Sequence, residues 1–395
     1  MTINGTISTV IDRRNFLRST AAAAAFGLAT RSGIASSFGQ QTIRNFAPVK
    51  VARNRIIREV VGLRPFRPGG YLVEAQRVGS KLLVHNYGHG GAGITLSWGT
   101  ATQAVDLVRD FSFASTGRVK RPAPKRFAVI GCGVNGLSTA IMLQRHYADV
   151  GGGVTIYTKD LPPDTTSNIA GGFWSPTSVY DGDAATPKFL EQFRTAARVA
   201  NRSFQLLAGS DYGVRWFDTF DLSRNEASLQ YQLPGGNDLY PQLTIHRNPD
   251  RYFGFPYVRQ YSTMVIEPQV YLRSLLRDFY MAGGRVVVKE FRSRAEVMRL
   301  PEQVIFNCSG LGAKALFDDK TLTPVRGQLE ILLPQPEIDY CYLGPGYMFP
   351  RSDGIVLGGT FDHDDWSLDV NPDQANNILN AHAEIMKSAT TASKT

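Results

Sequence analysis

The sequence predicts an α/β protein in which a parallel sheet is joined to an α+β part built on an antiparallel sheet. Three observations predict it. The apolar run Phe127–Ile130, a glycine-rich turn, the helical pattern Leu137–Tyr147 and the strand Val154–Tyr157 make a βαβ start. Residues 205–265 alternate short strand patterns rich in Tyr, Phe and Trp, which suits an antiparallel sheet carrying a ligand pocket. The chain has 395 residues, 43% hydrophobic and 19% charged, enough for two joined cores and unlike a disordered or fibrous chain.

The N-terminal arm, residues 1–35, comes first. Asp12-Arg13-Arg14-Asn15-Phe16-Leu17-Arg18, an alanine-rich run to Thr30, and Arg31 resemble a twin-arginine (Tat) export signal. That implies the Tat machinery as a partner and export in folded form, periplasmic or secreted; if the signal is unused, the location is cytoplasmic. The apolar run falls short of the roughly 20 residues of a membrane-spanning helix, and no membrane span is expected elsewhere. The net charge is +9, yet residues 1–68 hold eleven Arg and Lys against Asp12 and Glu59. The excess therefore belongs to the arm and its flank, and no nucleic-acid partner is implied.

Residues 36–108 contain Ile56–Val61 and then Gly62–Gly70, whose prolines and glycines predict a rigid, extended turn carrying Arg64 and Arg67. Lys81–His85 reads as a strand entering a run with Gly88, Gly90, Gly91 and Gly93, and Thr95–Val108 as a helix. Residues 109–126 read as a linker. Beyond it, 127–204 holds the βαβ start and 205–300 mostly the antiparallel part. Segment 301–330 returns to the parallel sheet, and 331–395 ends in a tail expected to fray after Met386. Val270–Tyr280 is a helix pattern; Arg285–Lys289 and Val304–Asn307 are strand patterns, the second ending at Cys308-Ser309-Gly310.

Four motifs carry chemistry. Gly131-Cys132-Gly133-Val134-Asn135-Gly136 is a G-x-G-x-x-G turn between strand and helix. There the backbone can approach a pyrophosphate at a helix N-terminus, which points to a dinucleotide. Lys159 and Asp160 stand where a ribose-binding acid is expected. Asp164–Trp174 offers the hydroxyls of Thr165, Thr166 and Ser167, followed by Gly171, Gly172 and Phe173, a loop suited to a flat cofactor. Gly90, Gly91, Ala92, Gly93, Ile94 and Thr95 open a second helix, a further place for N–H groups to meet negative charge. Arg64 and Arg67 present forks for a carboxylate, or simply salt bridges. His85 and His89 lack a third ligand at metal spacing, and Cys132, Cys308 and Cys341 form no Cys-x-x-Cys pair, so no metal is expected.

These residues resemble a known family. GCGVNGLSTA, DTTSNIAGGFWSP, VIFNCSGLGAKAL, Arg326-Gly327-Gln328, YMFPRSDGIVLGGTFDHDDW, GLRPFRPGG and HNYGHGGAGITLSWG are similar to the D-amino acid oxidase and D-aspartate oxidase family of FAD flavoproteins. In that family the last two motifs close the chain, whereas here they precede the G-x-G-x-x-G strand. The resemblance therefore implies a circularly permuted, Rossmann-like FAD-binding domain with a substrate domain.

The resemblance also implies non-covalent FAD, held by the glycine turn, Lys159, Asp160 and the two cofactor loops. Arg64 and Tyr347 would grip the substrate carboxylate, Tyr342 would match the lid tyrosine, and Gly91 would line the substrate site. The implied activity is oxidative deamination of D-amino acids by hydride transfer to flavin N5. O₂ is the acceptor, and a 2-oxo acid, ammonia and hydrogen peroxide are the products. A D-aspartate oxidase, a related amine or glycine oxidase, and a non-catalytic flavin-binding protein stay open, as does a homodimer.

Overall fold

The computed structural model describes residues 46–113, 126–147, 153–248 and 253–392. The Tat-like segment lies outside them. Along the chain come β1 (Ile56–Phe66), β2 (Leu72–Val78), β3 (Lys81–Tyr87), α1 (Gly93–Phe113), β4 (Arg126–Ile130), α2 (Val134–Tyr147) and β5 (Gly153–Thr158). Then follow α3 (Thr166–Ile169), α4 (Pro187–Leu206), β6 (Val214–Ser223), β7 (Thr244–Arg247), β8 (Tyr257–Ile266), α5 (Pro268–Met281), β9 (Arg285–Val288) and α6 (Arg294–Met298). The last are β10 (Val304–Asn307), α7 (Gly312–Phe317), β11 (Thr323–Leu332), β12 (Tyr340–Leu343), β13 (Tyr347–Arg351), β14 (Gly354–Gly358), β15 (Asp362–His363) and α8 (Pro372–Ala392).

Two sheets result. The first runs β2-β3-β10-β4-β5-β9, with parallel pairing from β3 to β9 and β2 antiparallel at the edge. Its strands are apolar on both faces, as parallel strands covered by helices must be: Val84, Phe127, Val129, Ile156 and Phe306 are buried on one face, Leu83, Ala128, Ile130 and Ile305 on the other. The second runs β1-β11-β14-β13-β12-β6-β8-β7, with β15 added to β11. It is antiparallel except where β12 pairs with β6. The sequence-based α/β plus antiparallel architecture is what forms.

Several local expectations are corrected. Gly62–Phe66 is not a turn: β1 runs straight through it, because every residue from Arg58 to Phe66 has a partner on β11. Pro65 sits opposite Pro324 on this sheet edge, where a missing N–H is tolerated. Residues 109–113 are not linker but the last turn of α1, and Arg126 already belongs to β4. The tail after Met386 continues α8 to Ala392, with Ile385 and Met386 buried in the core beneath β14. The domain boundaries cut across both sheets. β9, placed in the substrate part, closes the parallel sheet, and β11, placed with the cofactor part, lies in the antiparallel one.

The segment ahead of the βαβ start is divided between the sheets. β1 joins the antiparallel sheet, while β2, β3 and α1 join the parallel one. The stretch leading into β1 also meets α8: the Val49 N–H lies 3.2 Å from Met386 Sδ, and Arg53 donates to Asn376 Oδ1 at 3.0 Å.

Candidate active site

A cavity of about 880 Å³ runs from the carboxyl ends of β4, β5 and β9 to the wall made by β1, β11 and β13. Ligands of open α/β sheets bind beyond these strand ends, and the volume is in the upper part of the range of about 300–1,000 Å³ for ligand sites.

At the first end, Gly131 turns the chain with φ +104° from β4 into α2, and a Cβ there would stand 2.6 Å from the Cys308 carbonyl oxygen. The Val134 N–H at the head of α2 donates to Ser167 Oγ at 3.0 Å, which ties the glycine turn to the Asp164–Trp174 loop. Asn135 Oδ1 is buried against this cavity and has no hydrogen-bond partner among the described residues. Beyond β5 and β9, Lys159, Asp160, Lys289, Glu290 and Arg292 line the same end, with Lys159 Nζ 3.3 Å from Glu290 Oε1.

At the other end stands Arg64. Its Nη1 donates to the carbonyls of Arg326 and Thr360, both at 3.2 Å, and its guanidinium lies 4.4 Å from the Phe361 ring centre. Gly327, its neighbour on β11, has no room for a side chain because the guanidinium fills that space. Tyr347 lies beside Arg64; burial raises its phenol pKa and the arginine charge works the other way. The Tyr347 ring stacks on Phe349 at 5.0 Å, and Phe349 stacks on Phe173 at 4.6 Å, giving a three-ring wall. Arg67 has a different fate. Its Nε donates to Asp319 Oδ2 at 2.8 Å, and so does the Tyr87 hydroxyl. Burial alone would raise the Asp319 carboxyl; hydrogen bonds from Thr321 and Tyr87, with the Arg67 charge, outweigh it and hold it below its ordinary range.

Gly90, Gly91, Gly93, Ile94 and Thr95 line the cavity between these ends, together with Thr165, Thr166, Ser167, Gly171, Gly172 and Phe173. Two of the sequence candidates stand behind the wall. Ala92 is fully buried in the core, and Gly136 packs against the Gly131 carbonyl, supporting the turn without lining it.

Tyr342 is a correction. It is fully buried, its hydroxyl lies 2.5 Å from His382 Nδ1, and it does not line the cavity. Alternation along β12 explains this. Tyr340 and Tyr342 point into the core under α8, while Leu343 reaches the cavity.

Sequence reasoning missed Lys289 and Arg292, Leu329, Phe349 and Phe361. Lys289 closes and Arg292 follows the predicted strand Arg285–Lys289, but only its parallel pairing with β5 puts that strand end at the cavity. The others become neighbours only through sheet pairing.

His85 and His89 are held inside the protein. His85 Nδ1 accepts from the Asn307 amide at 3.1 Å, and His89 Nε2 lies 3.1 Å from Thr100 Oγ1.

Comparison with known proteins agrees with this geometry. Residues 126–394 match the DAO family, described as FAD dependent oxidoreductase. The chain belongs to that family. A D-amino acid oxidase of Dugesia ryukyuensis is 31% identical over 272 residues, 66% of this chain and 77% of that protein. Human D-aspartate oxidase is 29% identical over 259 residues, 64% of this chain and 74% of the relative. The glycine oxidase structure of Geobacillus kaustophilus shares the fold with a TM-score of 0.51 and 16% identity, covering 68% of this chain and 80% of that one.

This FAD-dependent oxidoreductase has the residues its cofactor needs. The side-chain-free turn, the N-terminus of α2 and the unpartnered Asn135 oxygen suit a pyrophosphate and its ribityl hydroxyls. The second helix start, Gly93–Thr95 on α1, faces the same cavity.

Proposed function

We propose that this FAD-dependent oxidoreductase oxidatively deaminates D-amino acids to 2-oxo acids, ammonia and hydrogen peroxide, with O₂ as acceptor. The observation that carries the reading is Arg64 beside Tyr347 on the wall of the cavity that also contains the Gly131–Asn135 turn. FAD, held by the Gly131–Asn135 turn and the Thr165–Phe173 loop, would supply a two-electron acceptor that O₂ can reoxidise.

The chain's own residues bind and orient. Arg64 presents a charged fork to the α-carboxylate, and the Tyr347 hydroxyl donates to the same group. The backbone carbonyls of Arg326 and Thr360 hold Arg64 in place, so little rotamer freedom is lost on binding. The wall of Tyr347, Phe349 and Phe173 excludes water around the substrate carbon. No histidine or carboxylate beside Arg64 is assigned as a base; positioning is the catalytic resource. The relatives' names, D-amino acid oxidase and D-aspartate oxidase, support the same reading.

A panel of D- and L-amino acids with peroxide detection on the FAD-loaded protein tests it. Turnover of D-amino acids only is expected; bound yellow flavin with no turnover of any D-amino acid would overturn the reading.

Two further readings are part of this proposal. The first is a circular permutation of the family order. It is supported by the family match starting at residue 126 while β1, β2 and β3 complete both sheets, and by Val49 meeting Met386. A chain rejoined between residues 392 and 46 and opened between 113 and 126 should bind FAD with an unchanged spectrum. The second is Tat export through Arg13-Arg14; the Lys-Lys variant should stay in the cytoplasm, and undiminished export would reject it.

A further inference from the structure

A second, smaller cavity of about 250 Å³ adjoins the first. Arg64, Gly90, Gly91, Ser178 and Phe361 line both, so the two spaces meet at the residue proposed to hold the substrate carboxylate. Its outer wall is Asp181, Tyr180 and His363. No function described above uses it.

Among the described residues, Asp181 is the one carboxylate lining this space, and Arg64 the one arginine. Asp181 is anchored through its backbone, its N–H donating to the Pro68 carbonyl and its carbonyl accepting from Ala184. Its carboxylate makes no side-chain hydrogen bond or ion pair with a described residue. Arg64, the one cation lining both cavities, already has three backbone carbonyls and the Phe361 ring around it. The cationic side chains Lys159, Lys289 and Arg292 belong to the strand ends where the cofactor is expected, and none of them lines this smaller space. His363 stands on the same wall, its ring edge-on to Phe66 with centres 5.9 Å apart.

We propose that the smaller cavity receives the substrate side chain, and that Asp181 selects side chains ending in an ammonium or guanidinium group over acidic ones. The preferred substrate class is then basic D-amino acids. Buried Phe66 and Val325, with the more exposed Phe361 ring, cover the methylene stem, while the charged end reaches the exposed Asp181. An acidic side chain would place a second carboxylate beside Asp181 with no second arginine to receive it. This inference rests on the proposed oxidase reading and deepens it.

The test compares D-lysine with D-norleucine, which has nearly the same length without the ammonium, and with D-glutamate. For the FAD-loaded wild-type protein kcat/KM should fall in the order D-lysine, D-norleucine, D-glutamate. An exposed ion pair contributes modestly, so the D-lysine advantage over D-norleucine should be about fivefold. Asp181→Asn should abolish that advantage and leave D-norleucine unchanged, and D-glutamate should improve. If D-norleucine is oxidised but D-lysine gains nothing, or Asp181→Asn slows both substrates equally, the selection by Asp181 is wrong while the oxidase reading stands. If flavin is bound and no D-amino acid is oxidised, it is the oxidase reading that fails. Wild-type levels of flavin and an unchanged Tm in Asp181→Asn show that the variant is folded.

Discussion

Arg64 on β1 and Tyr347 on β13 lie side by side although β11 and β14 separate their strands in the sheet. Arg64 reaches across Gly327, which has no side chain to block it, toward the end of β14, where the Tyr347 hydroxyl packs over Gly358 and Gly359. The missing side chains at Gly327 and Gly358 on the intervening strands therefore let the guanidinium and the phenol meet.

Removing the guanidinium should cost activity and spare the cofactor. Arg64→Ala should keep normal flavin content and lose about 100-fold in kcat/KM, since a charge-assisted bond to a carboxylate contributes about 1.5–3 kcal/mol. Tyr347→Phe removes one neutral donor, and about tenfold is expected. Steady-state kinetics on flavin-matched samples decides; equal losses in the two variants would contradict the division of labour.

The glycine turn should be intolerant where its neighbours leave no space. A Cβ at Gly136 would overlap the Gly131 carbonyl, whereas at Gly182 it would meet nothing within 4 Å. Gly136→Ala should therefore show low flavin content and a lower Tm, and Gly182→Ala should match the wild type. The ratio of flavin to protein absorbance reads this directly.

Tyr342 should behave as a core residue. Tyr342→Phe leaves His382 Nδ1 buried without its partner, at a cost of about 1–3 kcal/mol. Thermal unfolding should show that loss, while kcat/KM stays within about twofold. A large change in KM with unchanged Tm would instead return Tyr342 to the substrate site.

Acid should destabilise the protein through three buried histidines. Burial pushes His85 and His382 down to about 4 and His89 down to about 3. An unfolded chain protonates these rings near pH 6.5, the folded one only near 4 and 3. Between those limits the unfolded state holds more protons, so stability falls as pH drops below about 6.5. Each ring contributes at most about 1.4 kcal/mol per pH unit in that window. Chemical unfolding at pH 7.5 and 5 measures the slope, and His89→Gln should reduce it by one proton's worth. Identical slopes in the two proteins would refute the assignment.

Much of this is legible in the sequence. G-x-G-x-x-G between Phe127–Ile130 and the α2 pattern depends on local periodicity and backbone space, so Gly131 and Gly133 could be placed at a cofactor turn. The Thr165–Phe173 loop and the Gly90–Thr95 helix start were readable for the same reason. Local rules failed where long-range pairing dominates. Pro65 and Gly62 look like turn residues in isolation, yet β11 turns their segment into a strand.

By itself the sequence determined the parallel-sheet start, the glycine turns, the basic N-terminal arm and the arginine fork. Each of these is set by residues close together along the chain. Only the tertiary structure decided that Arg64 faces the cavity while Arg67 is tied to Asp319, that Tyr342 is core, and that Phe361 and Asp181 stand beside the site. Those outcomes depend on strand register and on which face of a pleated sheet a residue occupies. A pairing shift of one residue would reverse every one of those faces.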